Sequence, residues 1–235
     1  MYETRIETDK MTIPGASTTA TDLLLGAVAL VLAFLLTARR RSDQGWTARL
    51  WAAALLFTSL AALAGGTYYG RGVGFPVALA GTLRRAAMAG VGLASFCFVA
   101  GAAFGSVRGR ARRIVLWLAT GQTVLYLAWT IEHDALGYAV FEHSSAMIAV
   151  LVLQARAWTR RRDPAAPWVI AGAALLTGCA AIQSGHLGAD FALDEICHIL
   201  QVIGIYCLFR GGRMLTDLGA RGVPGRDTAE SALQP

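Results

Sequence analysis

"ADFALDEICHILQVIGIYCLFRGG", residues 189–212, decides how the whole chain is read, because it is apolar enough for lipid yet carries Asp194, Glu195, His198 and Gln201. A helix from Ile196 to Phe209 alone would be about 21 Å long at 1.5 Å per residue, short of the ~30 Å hydrocarbon core of a bilayer. A span therefore has to begin near Phe191. Asp194 and Glu195 then fall in its first turn or so and His198 a turn deeper, where an uncompensated charge costs about 3 kcal/mol. Such residues are expected to face protein or a wet cavity. Asp194 and His198, four apart, share a helix face, and Gln201 continues it.

The composition agrees with a bilayer as solvent. The 235 residues are 55% hydrophobic and 15% charged, whereas a soluble domain carries about 25% charge. The formal charge of +6 lies in short arginine clusters between apolar runs, without interleaved aromatics or a binding module, which argues against nucleic acid as a partner. Cys97, Cys179, Cys197 and Cys207 all lie within apolar runs and read as small buried side chains, not as a disulfide framework.

Seven runs are long enough to cross the core, near 21–38, 50–70, 84–106, 114–131, 136–155, 167–185 and 191–210. The connections "ARRRSDQGWTAR", "RGRARR", "RAWTRRRD" and "RGGR" are rich in arginine, and the alternate ones are not. By the positive-inside rule the N-terminus lies outside and the C-terminus in the cytosol. Arg84 and Arg85, at the outer start of the third run, are expected to snorkel to the headgroups, and the link "GRGVGFPVALAGTL" to dip into the membrane or lie along it. Residues 1–20 form an extracytoplasmic segment without signal-peptide features, translation starting at Met1 or Met11, and residues 211–235 a short disordered cytosolic tail. The expected fold is all-α: a seven-transmembrane-helix bundle with antiparallel neighbours and small-residue faces at "GVGLASF" and "AGAALLTGCAA". A retinal Schiff base is excluded, because the only lysine is Lys10, outside every span.

Imposing that topology gathers the polar residues. His133, His143, His186 and His198 all map to the outer ends of spans four to seven. Glu142 and His143 lie about 9 to 10 Å inside the fifth span and, being about 100° apart, cannot both face one centre; Glu142 is expected inward, with Tyr138 a turn above it. Gln122, Tyr126 and Thr130 make a polar stripe on the fourth span that leads to His133 and Asp134. His186 and Asp190 are expected to be solvated in the last outer loop.

The segments "TDLLLGAVALVLAFLL", "LAALAGGTYYG" and "DEICHILQVIGIYCLFRGG" together resemble a family of uncharacterised bacterial seven-helix membrane proteins, whose second span ends in a GGTYHG-like motif and whose last opens with an HNDIYHVIQ-like one. Ile196, His198 and Gln201 match that last motif in register. More remotely, the arrangement is similar to the CREST superfamily of alkaline ceramidases and adiponectin-receptor-like proteins. That likeness implies a zinc ion held by histidines of the second and seventh helices, whose water attacks an amide. This chain departs from the bacterial pattern at Tyr69 and Leu193, where that pattern has histidines, and at Asp194, where it has asparagine.

Two functions are expected from these readings. One is a multi-pass protein of the bacterial inner membrane, of undefined activity and in contact with membrane lipids, whose buried outer-side polar cluster (Gln201, His143, His133, Tyr138, Tyr126) would serve a lipid- or small-molecule-binding bundle or the relay of a proton-linked carrier. The other is a metal-dependent hydrolase of a lipid-like amide or ester. There Asp194, His198 and Glu142 hold one divalent ion, zinc by the resemblance, and Ser95 or Tyr69 donates to the oxyanion.

Overall fold

The computed structural model describes residues 16–38, 45–71, 74–133, 135–185 and 191–218, and the side chains of 16–18, 71, 183–185 and 191–195 are not included. Among the described residues there are seven α-helices and no strand: α1 (Ala16–Ala38), α2 (Gly45–Arg71), α3 (Val77–Ser106), α4 (Gly109–Glu132), α5 (Leu136–Arg161), α6 (Ala166–Gly185) and α7 (Phe191–Met214). The first five are long and apolar enough to cross a membrane, and α6 has a shorter apolar stretch, Ala166–Ile182. The helix ends follow backbone chemistry. Pro76 stands at the N-cap of α3, Arg162 leaves α5 in the left-handed region at φ 51°, and Gly109 opens α4 at φ +60°. Of the link after α2, residues 77–83 are the first two turns of α3, so Arg84 lies within that helix, its guanidinium 5.8 Å over the Tyr68 ring.

The helices do not pack in simple chain order. α1, α2 and α3 pack in sequence, α3 then meets α5 directly, α5 meets α6, α6 meets α7, and α7 returns to α1. α4 stands outside this ring, leaning on α3 and barely touching α5. It buries only Ala119, Thr123 and Tyr126, while Trp117, Leu118, Val124, Leu125 and Ile131 are exposed. α3 and α5 run parallel at a fixed offset, shown by the contacts Ser95 to His143 and Gln154 to Ser106. The end of the bundle where α1, α3, α5 and α7 begin is called upper below.

The core includes Trp51, which meets Phe98 edge-on at 5.2 Å, together with the buried Leu36, Leu55, Met147, Ile205 and Leu208. Small residues set the helix spacing. A Cβ on Gly172 would stand 2.6 Å from the carbonyl oxygen of Gly204, so α6 and α7 approach backbone to backbone. At the lower end the chain beyond α7 is docked: Leu215 and Leu218 are buried, Leu218 N–H donates to Phe104 O at 3.2 Å, and Arg108 donates to Leu218 O. The Asp217 carboxylate accepts from Trp46 N–H at 2.8 Å and Thr47 N–H at 2.9 Å, and also from the Thr47 hydroxyl. It thereby caps α2 from the far end of the sequence.

Candidate functional site

Two polar clusters lie within the apolar part of the bundle, on different helix seams. The first joins α3, α4 and α5. Glu142 is 2% exposed and its carboxylate accepts from Gln122 Nε2 at 2.8 Å and from Thr123 Oγ1 at 3.3 Å. Gln122 Nε2 also donates to Ser145 Oγ at 2.6 Å, and Ser145 donates to the Glu142 carbonyl at 2.9 Å. His143, the next residue, turns to α3, where Ser95 Oγ stands 3.2 Å from its Nδ1. Adjacent helical residues point about 100° apart, so one pair on α5 serves two neighbours. Each partner lies on a face that the helix period directs inward. Gln122, Thr123 and Tyr126 share one side of α4, and the Tyr126 hydroxyl donates to Met88 O at 3.1 Å on α3.

Below this cluster, α4's stand-off from α5 leaves a cavity of about 340 Å³. Its upper end is polar, with Ser95, Gln122, Thr123 and Glu142; its walls are apolar, among them Val99 on α3, Val115 and Ala119 on α4, and Ala149 and Leu153 on α5. Leu118 and Val152 border it and are exposed, so it opens sideways between α4 and α5.

The second cluster joins α1 and α7. His198 Nε2 lies 2.8 Å from Asp22 Oδ1, with side chains 11% and 18% exposed. Both stand about 9 to 10 Å from the upper starts of their helices. Gly66 and Gly70, two of the three glycines of the "GGTYYG" motif, let α2 close on α1 beside Asp22: a Cβ on Gly66 would lie 2.8 Å from Asp22 Cβ, and one on Gly70 would meet Thr19.

The remaining anticipated residues fall elsewhere. His133 stacks on Trp129 with ring centroids 4.0 Å apart, and Tyr138 meets both rings edge-on, forming an aromatic group at the upper end of α4 and α5. Thr130 bonds back to Leu127 O of its own helix. Tyr69 packs edge-on against Tyr68 at 5.0 Å, and Gln201 is half-buried on α7. The Asp194 side chain, Asp134, His186 and Asp190 lie outside the described residues. The four cysteines are buried free thiols.

For an ion shared by Asp194, His198 and Glu142 the described side chains give separate neighbourhoods: both Glu142 oxygens are engaged by α4, and His198 faces Asp22. Among the described residues no group of three or more His, Cys, Asp or Glu gathers to hold a metal, and a catalytic zinc takes about three protein ligands. The His198–Asp22 pair supplies one imidazole and one carboxylate, and the Asp194 side chain lies outside the described residues. Sequence reasoning passed over Asp22, Thr123 and Ser145. Asp22 had a signal, being an acid inside the first apolar run at the depth of His198; which helix it would meet had none.

An all-helical, membrane-like bundle with polar seams buried between apolar helices is the class these features define. The chain belongs to DUF6962, a family of unknown function, whose model matches residues 17–217. No curated protein and no solved structure matches it.

Proposed function

We propose that the chain is a seven-span protein of the bacterial inner membrane that binds a lipid-like molecule in the cleft between α3, α4 and α5. The upper end faces outward and the lower end the cytosol, since Arg108, Arg110, Arg112, Arg113, Arg156, Arg160, Arg161, Arg162, Arg210 and Arg213 all sit at lower helix ends. The observation that carries the reading is the cavity of about 340 Å³ with apolar walls, a sideways opening and a polar upper end. A void with a lateral mouth in hydrocarbon is reached by molecules dissolved in the bilayer, and their apolar bodies match its walls. At the polar end, amide and hydroxyl groups are held in place by Glu142. Gln122 lies about 15 Å from the upper end of α4, near mid-bilayer, where a neutral hydrogen-bonding group is far cheaper to bring than a charged headgroup. The ligand class is therefore an uncharged amphiphile such as an ester, amide or alcohol of a long chain.

Photocrosslinking tests this in the purified full chain, reconstituted in bilayers with a diazirine-bearing long-chain ester. Adducts are expected to concentrate on peptides of α4 and α5 around Ala119 and Ala149. Ala149→Phe, which fills the cavity, is expected to remove most of them. Adducts spread evenly over all lipid-facing helices, unchanged by Ala149→Phe, would overturn the reading.

A further inference from the structure

Beside the Arg161 guanidinium, which donates to the Gly105 and Ser106 carbonyls, two side-chain to side-chain contacts tie α3 to α5, and they differ in what they border. Gln154 donates to Ser106 Oγ at 3.1 Å, and neither residue lines the cavity. Ser95 Oγ stands 3.2 Å from His143 Nδ1, and Ser95 lies at the cavity's polar upper end with Gln122, Thr123 and Glu142. Both contacts join residues 48 apart, so the same register of the two helices places each pair. A hydroxyl within hydrogen-bond reach of an imidazole, beside N–H and O–H donors and at the head of an apolar cleft, is the arrangement that acyl transfer needs.

We infer that Ser95 and His143 are a nucleophile and general base for acyl transfer from a long-chain ester or amide held in the cleft. The inference rests on the cleft as the binding site. Ser95 Oγ bonds to the acyl carbon while its proton passes to His143 Nδ1, the imidazole starting as the tautomer protonated on Nε2. The bond from the acyl carbon to the alcohol or amine then breaks, and the leaving group takes the proton from Nδ1. Water enters next, gives its proton to His143 and releases the acid from Ser95, which recovers its hydrogen. Gln122 Nε2–H and Thr123 Oγ1–H, which donate to Ser145 and Glu142 in this structure, serve the oxyanion only by turning from those partners as the substrate enters. Ser95 is 0% exposed, so the carbonyl reaches it as α4 parts from α3, along the seam where α4 buries only Ala119, Thr123 and Tyr126.

A long-chain alkyl fluorophosphonate tests the pair directly, because it forms a P–O bond to an activated serine and expels fluoride. With the full chain in bilayers, intact mass and peptide mapping are expected to show one adduct, on Ser95, absent in Ser95→Ala and after heat denaturation. His143→Gln keeps a hydrogen-bonding side chain but no base, and its labelling is expected to be at least about 100-fold slower. Should Ser95→Ala not fold, mapping of the wild type and the rate in His143→Gln decide the matter. No adduct on Ser95 in the folded wild type, or labelling of His143→Gln at the wild-type rate, overturns the inference. If the diazirine ester still crosslinks to the cleft, the binding reading stands and only the chemistry falls; if it does not, both fall.

Discussion

Removing the Asp22 carboxylate tests whether α1 and α7 are held together by the His198 contact. Full burial of an ion pair would make the loss of one partner cost about 3 to 5 kcal/mol. Interhelical hydrogen bonds in membranes give about 0.6 kcal/mol on average and at most about 1.7. At 2.8 Å, with side chains 11% and 18% exposed, the pair is charge-assisted in geometry and only partly shielded, so an intermediate value applies. Asp22→Ala is expected to cost about 2 kcal/mol, which for a chain of this size lowers Tm by roughly 4 to 8 °C. A double-mutant cycle with His198→Ala should return a coupling of about 1 to 1.5 kcal/mol. The assay is equilibrium unfolding of the purified full chain in mixed micelles, followed by tryptophan fluorescence. A coupling below about 0.3 kcal/mol, with the two single losses simply adding, would show that the contact does not fasten α1 to α7.

Two helix glycines, Gly66 on α2 and Gly121 on α4, predict opposite signs for chemically equal changes. Gly66→Ala puts a methyl 2.8 Å from Asp22 Cβ and is expected to destabilise by about 1 to 3 kcal/mol, whereas Gly121→Ala, which meets nothing within 4 Å, is expected to stabilise by up to about 1 kcal/mol; thermal melts of the two variants compare them. Asp217→Ala uncaps α2 and is expected to cost about 1 kcal/mol and to speed amide hydrogen exchange at Trp46 and Thr47; unchanged exchange at both would remove the cap. Reporter fusions after Arg41, Arg113, Arg162 and Arg213 are expected to report cytosol, and fusions near Gly72, Asp134 and Gly188 the outside. Two reversed loops would break the seven-span topology.

The helices themselves were legible because a span is a local property. About 20 consecutive apolar residues are needed to cross the core, and arginine-rich connections such as that around Arg162 mark where runs stop. The inward placement of Glu142 follows from the same local rule, since a carboxylate at that depth must find donors. Which donors it finds depends on which helices are neighbours, and chain order does not give that. α4 follows α3 and precedes α5 in sequence, yet it stands outside the ring and lets α3 and α5 meet. That displacement opens the cleft, brings Ser95 to His143 and hands Glu142 to Gln122 and Thr123. His198 likewise advertised a buried partner, but Asp22 lies 176 residues away by number, on a helix that reaches it only because the ring closes. Hydropathy fixes how deep a side chain sits, for depth is set by the residues beside it in sequence. Its partner is set by the packing of whole helix faces, where small residues such as Gly66 allow close approach, and that is decided only when all seven are in place.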